Sequence, residues 1–118
     1  MITGVNFNSV SEKTIGKEVR INEFCLIGGE LPLSDELGVD VGTRAMLVHT
    51  DVRSGATIDY IEIMNGEHKG QIIEITMSFR SKPIRSTARW LQDPLALLIL
   101  RRKIRDSKKW TLWKNVRH

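Results

Sequence analysis

The fold is decided by residues 57–79, which read TIDYIEIMNGEHKGQIIEITMSF. The last part of this stretch, from residue 71 onward, alternates between apolar and polar side chains. The apolar positions are Ile73, Ile75, Met77 and Phe79, and the polar positions are Glu74, Thr76, Ser78 and then Arg80. A period of two is typical of a strand that covers a core with one face. The alternation therefore predicts a half-buried strand at residues 71–79.

The first part of the stretch, residues 57–64, predicts a second strand because it is rich in β-branched and aromatic residues. Its apolar residues fall on both faces, with Ile58 and Tyr60 on one and Ile61 and Ile63 on the other. A strand that is apolar on both faces is covered from both sides. We therefore expect this strand to lie near the middle of the sheet.

Further strands are predicted at residues 17–27, with a bulge or bend near Asn22, and at residues 44–52. Between them, Ser34 is a predicted N-cap of one short helical turn that Gly38 closes. A second helical turn is predicted from the Ser86-Thr87 pair to Leu91.

A longer helix is predicted to begin at Asp93-Pro94, because Asp is favoured at the N-cap and Pro at the first helical position. It is expected to run to about Asp106. Its apolar stripe is predicted to be formed by Leu95, Leu98 and Ile99. Residues 108–114 then predict a basic tail that is strand or coil.

These elements predict a mainly β (β+α) fold in a single domain of 118 residues. The expected architecture is a small five-stranded SH3-like or OB-like barrel, or a curled antiparallel sheet, with a C-terminal helix and a basic tail. Residues 1–85 would form the β-rich, barrel-like part. Residues 86–118 would form the basic helix and tail, packed on that part or extending from it.

Charge is distributed unevenly along the chain. Residues 1–79 hold 6 Lys and Arg against 12 Asp and Glu, a net charge of −6. Residues 80–118 hold 12 Lys and Arg against 2 Asp, a net charge of +10, so the two parts sum to the +4 of the whole chain. An acidic body joined to a basic arm predicts an anionic partner drawn in by the field of the arm.

Little in the sequence indicates catalysis or a cofactor. The three histidines, His49, His68 and His118, lie far apart and in no metal-ligand pattern. The single cysteine, Cys25, has no partner for a disulfide or a zinc site, and its apolar neighbours favour a buried, inert thiol. We predict no enzyme activity, no metal and no cofactor. A lone thiol also favours a reducing compartment, the cytoplasm of a cell or of an infected host.

The hairpin predicted within residues 57–79 resembles a known sequence motif. Residues 65–70 predict a turn in which Asn65-Gly66 supplies the positive φ angles. Together with the flanking strands, the Gly66-x-x-Lys69-Gly70 loop resembles the KOW motif of SH3-like barrels in transcription elongation factors and ribosomal proteins. The motif has a further glycine where this chain has Ile73. The resemblance implies a five-stranded barrel that contacts RNA, DNA or polymerase, with Lys69 as the contacting cation.

The arm is the stronger candidate for binding, because cations interleaved with tryptophans combine phosphate-seeking charge with stacking surfaces. The predicted nucleic-acid-binding residues are Lys69, Arg101, Arg102, Lys103, Arg105, Lys108, Lys109, Trp110, Trp113, Lys114 and Arg117. The sequence thus predicts a non-catalytic nucleic-acid-binding protein, with a role in transcription or in handling RNA or DNA. The alternative is a viral or transcription-complex subunit that docks through the helix on a protein partner or a second copy. A membrane surface is a third partner that the same composition would suit.

Overall fold

The computed structural model describes the backbone of residues 15–80 and 82–116, and within these ranges the side chains up to residue 107. The elements are β1 (Glu18–Arg20), α1 (Leu33–Leu37), β2 (Arg44–Arg53), β3 (Ala56–Ile63), β4 (Ile72–Ser78), β5 (Arg85–Trp90) and α2 (Pro94–Val116). The fold is therefore mainly β with a C-terminal helix, as the sequence predicts. Within the described residues, no helix is both long enough and apolar enough to cross a membrane.

The strands form one antiparallel sheet in the order β1-β2-β3-β4-β5. The central position of β3 confirms the prediction made from its two apolar faces. The sheet is open, so the predicted closure into a barrel is wrong. Closure would require β1 to pair with β5, but β1 has only 3 residues. The outer edge of β5 instead meets the chain that follows β1, where the Ser86 N–H donates to the Ile27 carbonyl at 2.8 Å.

One face of the sheet carries the larger core. It packs against α1 and the irregular chain of residues 21–42 that surrounds it. Its buried residues are Val19, Ile21, Leu26, Leu33, Leu37, Val39, Ala45, Leu47, Ile61, Ile63, Ile73 and Ile75. The predicted alternation in β4 is confirmed for Ile73 and Ile75, which lie in this core, but Phe79 lies beyond the end of the strand and is half exposed.

The opposite face carries a smaller core under α2. Its buried residues are Ile58, Tyr60, Ile72, Leu91 and Leu100, with Val48, Ala96, Leu97 and Ile104 packed around them. Strand β3 thus contributes to both cores. A bulge in β2 between Leu47 and His49 adjusts the register, so that Leu47 faces the larger core while His49 pairs with Tyr60 over the smaller one.

The strand predicted at residues 17–27 is much shorter. It ends at Arg20, and the chain bends where the Asn22 side chain accepts a hydrogen bond from the Phe24 N–H at 3.0 Å. The bend falls where the sequence places it, and beyond it Phe24 is exposed whereas Leu26 is buried. Cys25, expected to be buried, is only partly so.

Two predicted turns differ in detail. Helix α1 begins at Leu33 with Pro32 at its N-cap, so Ser34 is not the cap, whereas Gly38 closes the helix with φ of 70° as expected. In the β3–β4 hairpin, Gly66 has φ of 83°, but Asn65 is not in the positive-φ region. The Asn65 side chain instead accepts a hydrogen bond from the Arg44 N–H at 3.1 Å and so ties the turn to β2.

The helical turn predicted from Ser86 is wrong, because residues 85–90 pair with β4 along their whole length. Helix α2 does begin at Pro94, and the Asp93 carboxylate accepts a hydrogen bond from the Leu95 N–H at 3.1 Å. It extends ten residues beyond the predicted end at Asp106, to Val116. The predicted strand or coil at residues 108–114 is therefore helical in its backbone.

The predicted apolar stripe of α2 is also wrong. Leu95, Leu98 and Ile99 are 63%, 49% and 46% exposed. The helix packs on the sheet through a different set of side chains: Ala96, Leu97, Leu100 and Ile104. Consequently, α2 presents apolar side chains on its outer surface as well as its inner one.

Candidate functional site

Helix α2 and the sheet face beneath it enclose a groove of about 380 Å³, which we call the α2 groove. It is lined by Arg53, Ile58, Tyr60, Glu74, Arg89, Ala96, Ile99, Leu100 and Lys103. Its volume lies in the lower part of the range of small-molecule sites, roughly 300–1,000 Å³. The groove is both apolar and charged, a combination that suits an anion with an apolar part.

The sheet register explains why the polar lining residues converge. Tyr60 on β3 lies opposite Glu74 on β4, and Glu74 lies opposite Arg89 on β5. Because partners across a sheet share a face, all three side chains point towards α2. Beyond the bulge in β2, every second residue of the strand points towards α2. Asp51 is one of these residues, so it lies on the same side of the sheet as Tyr60 and Glu74.

Asp51 joins α2 to the sheet. Its carboxylate accepts a hydrogen bond from Lys103 Nζ at 3.1 Å and contacts His49 Nε2 at 2.9 Å, while the Arg53 guanidinium lies farther away at 3.9 Å. Burial alone would raise the pKa of Asp51, but the hydrogen bonds from Lys103 and His49 outweigh it. The pKa of this carboxyl is therefore below its ordinary value, and Asp51 is charged at neutral pH.

Tyr60 forms the floor of the groove. Burial raises the pKa of its phenol, and the negative charges of Glu74 and Asp51 add to the effect. The hydroxyl therefore stays protonated at neutral pH and interacts with Asp51. A neutral phenol at this depth offers a polar atom without adding negative charge.

The groove has more positive than negative groups. Arg89 pairs with Glu74 at 2.9 Å, and Lys103 pairs with Asp51. Among the described residues, the ion-pair contact of Arg53 is its 3.9 Å approach to Asp51, so the described groove and its supporting carboxylate carry one surplus positive charge. The side chains of Arg53 and Arg89 are 62% and 73% exposed, so both guanidinium groups remain accessible to a ligand.

The structure distributes the predicted binding residues over different surfaces. Lys103 lies in the groove, where it is held by Asp51. Arg101 and Arg102 are exposed, and within the described part of the chain neither forms an ion pair. Arg105 lies 3.8 Å from Asp106. Five further predicted residues belong to α2 in their backbone, but their side chains lie outside the described residues: Lys108, Lys109, Trp110, Trp113 and Lys114. The whole of Arg117 also lies outside the described residues.

Lys69 is exposed on the β3–β4 hairpin, away from Lys103. Lys103 binds Asp51, which lies opposite Ile58, and the hairpin starts only after Ile63. Ile58 and Ile63 are five residues apart on β3, which is about 16 Å at the usual rise of a strand. The structure therefore does not bring Lys69 together with the cationic end of α2.

Sequence reasoning missed several residues of the groove, above all Arg53, Tyr60 and Arg89. Arg89 could not be found while residues 86–91 were expected to be helical. Arg53 does carry a signal, since His49, Asp51 and Arg53 alternate along β2 and thus share a face. The sequence does not show that α2 packs over this face of the sheet, and the structure does.

Comparison with known proteins gives no match to a family model, to a curated protein or to a solved structure. The groove must therefore be interpreted from its own chemistry. Among the residues that the structure describes, no three His, Cys, Asp or Glu side chains are grouped so as to hold a metal ion. The charged lining of the α2 groove combines Arg53, Arg89 and Lys103 with the carboxylate of Glu74, beside an apolar wall.

Proposed function

We propose that this protein binds nucleic acid without catalysing a reaction on it, and that it does so through the cations of α2 and its groove. One observation carries the proposal: Arg101 and Arg102 are exposed and have no ion-pair partner among the described residues. They extend the surplus positive charge of the groove along the helix. Phosphate oxygens are the natural partners of such unpaired guanidinium groups.

Two features of the sequence support the proposal. The net charge of +10 over residues 80–118 attracts a polyanion, while the charge of −6 over residues 1–79 keeps phosphates away from the rest of the sheet. The KOW-like hairpin adds Lys69 as an auxiliary contact. A role in transcription or in handling RNA or DNA, and a cytoplasmic location, belong to the same proposal.

Fluorescence anisotropy with a mixed-sequence oligonucleotide tests the proposal. Binding should weaken steeply as salt is raised from about 50 to 200 mM, since bound cations release counterions from the phosphates. The double variant Arg101→Gln/Arg102→Gln should bind more weakly and should lower the slope of log Kd against log salt by about 2.

The matched control is Arg20→Gln/Arg44→Gln. These two arginines are also exposed, but they lie at the β1 end of the sheet and pair with Glu18. Both double variants change the net charge equally, so they separate local contact from overall charge. The proposal fails if binding is independent of salt, or if the two double variants weaken binding by the same factor.

A second candidate function is self-association through the outer face of α2. The exposed Leu95 and Leu98 favour it, because exposed apolar side chains on a helix form a common contact surface. A second copy of the chain suits the patch, since the basic helix of one copy would face the acidic sheet domain of the other. Light scattering should then give twice the monomer mass, and Leu98→Ser should restore the monomer. A monomeric wild-type protein at high concentration would exclude this candidate.

A further inference from the structure

The α2 groove has the features of a site for one unpaired nucleotide. We propose that it holds a nucleotide of a single-stranded nucleic acid, with the phosphate at Arg53 and Arg89 and the base against Ile99. This proposal rests on the proposed function and goes beyond it by naming the form of nucleic acid that is bound and the residues that select it.

The phosphate position follows from the charges. Arg53 and Arg89 both line the groove, and their guanidinium groups are more than half exposed. Within the part of the chain that the structure describes, Arg89 pairs with the Glu74 carboxylate and Arg53 makes only the 3.9 Å approach to Asp51. Guanidinium groups with free N–H donors bind phosphate oxygens in pairs. A single phosphate would neutralise the surplus positive charge of the groove.

The base position follows from the apolar wall. Ile58, Ala96, Ile99 and Leu100 line the groove next to these cations. Ile99 is the most exposed of them, although it lies on the groove side of α2. A nucleobase placed against Ile99 would cover apolar surface that is otherwise in contact with water, and burial of such surface stabilises the complex.

The size of the site selects the single strand. A groove of about 380 Å³ has room for a small ligand but not for a duplex. In a duplex, each base is stacked on both sides and paired along its edge, so it cannot reach the wall of a groove. In a single strand the base is free to turn away from its neighbours. The duplex would then meet only the outer cations of α2.

The experiment compares labelled oligothymidine and oligouridine strands with an oligothymidine–oligoadenosine duplex, by anisotropy at equal phosphate concentration. We expect the full-length protein to bind the single strands more tightly than the duplex. Ile99→Ser should weaken single-strand binding about fivefold, the effect of losing roughly one buried methylene-equivalent of contact, and should leave duplex binding unchanged.

Leu98→Ser is the matched control, because Leu98 and Ile99 are neighbours on α2 with similar exposure but only Ile99 lines the groove. It should leave both affinities unchanged. As an independent test that leaves the helix intact, Arg53→Gln/Arg89→Gln should lower the salt slope of single-strand binding by about 1, because the two arginines share one phosphate. The Arg20→Gln/Arg44→Gln variant should not.

The outcomes distinguish the two proposals. If neither single strand nor duplex binds at low salt, the proposed function itself fails. If nucleic acid binds but the duplex is preferred, or if Ile99→Ser and Leu98→Ser act alike, the single-strand site is overturned while the proposed function stands. Single-strand preference with a selective effect of Ile99→Ser supports both proposals.

Discussion

Asp51 joins the sheet to α2 through a charged contact. Its side chain is 16% exposed and meets Lys103 from the helix and His49 from its own strand. Because the pKa of Asp51 is lower in the folded protein than its ordinary value of 3.8, the charged carboxylate stabilises the fold. This contribution is fully present above pH 3.8 and is lost as the pH falls through the folded-state pKa.

Replacing Asp51 by Asn should therefore destabilise the protein in a pH-dependent way. At pH 7 we expect a loss of about 1 kcal/mol, because Lys103 is partly exposed and solvent weakens the pair. As the pH falls below 3.8 and through the lower folded-state pKa of Asp51, the free energies of unfolding of the variant and the wild type should converge, since the wild-type carboxyl then becomes protonated too. Urea denaturation at several pH values measures this difference.

Glu18→Gln is the control for that series. The Arg44 hydrogen bond lowers the pKa of Glu18 as well, but Glu18 lies on β1, at an edge of the sheet, and its side chain is 43% exposed. Its replacement should have little effect on stability. A difference between wild type and Asp51→Asn that stays constant down to low pH would contradict the role assigned to the Asp51 charge.

Trp90 shows that not every tryptophan of the basic region is available for binding. Its Nε1–H donates to the Leu37 carbonyl at 3.0 Å, and its ring stacks on His68 with 4.7 Å between centroids. Trp90→Phe keeps a ring but removes the donor. We expect it to lower the free energy of unfolding by about 1 kcal/mol without changing affinity for oligonucleotides. Reduced binding with unchanged stability would give Trp90 a direct role in the interface instead.

At the scale of elements, the sequence predicts an element well where its pattern is unambiguous. The alternation of β4 and the Asp93-Pro94 start of α2 are local signals, and both are confirmed. Strand β5 reads RSTARW, in which only Ala88 and Trp90 are apolar, so its alternation is weak, and it becomes a strand because β4 offers it a partner. The docked face of α2 was mispredicted because residues 95–100 are apolar all round, so spacing alone cannot select a face.

The face through which α2 packs on the sheet leads to a prediction about two leucines of the helix. Leu100 is buried under the helix, whereas Leu98 is about half exposed. Leu100→Ala should lower the free energy of unfolding by about 2–4 kcal/mol, because it leaves a cavity in the smaller core. Leu98→Ala should change it by less than about 0.5 kcal/mol. Thermal or urea denaturation of the two variants measures the free energy of unfolding of each. Similar decreases in both variants would mean that α2 packs through another face.

At the scale of the whole molecule, the candidate site combines residues far apart in sequence. The basic arm could be recognised from charge alone, and it includes Lys103. Arg53 lies in the acidic part of the chain and joins the site only because β2 passes beneath α2. Charge patterning along a sequence therefore identifies a basic segment, but it does not reveal the groove, which exists only between packed elements.

The two cores should also differ in stability. Among the described residues, the larger core contains 12 buried side chains and the core under α2 only 5, and β3 contributes to both. The helix can therefore separate from the sheet while the larger core stays packed, so α2 should open at a lower free energy than the central strands.

Native-state hydrogen exchange measures this difference directly. Amides of α2 should exchange through a local opening, whereas those of β3 and β4 should require global unfolding. Asp51→Asn should speed exchange in α2 more than in the sheet, because it breaks the contact with Lys103. Bound single-stranded nucleic acid should slow α2 exchange, since a ligand that contacts both walls of the groove stabilises the closed arrangement. Equal opening free energies for α2 and β3 would instead show that the two cores unfold as one.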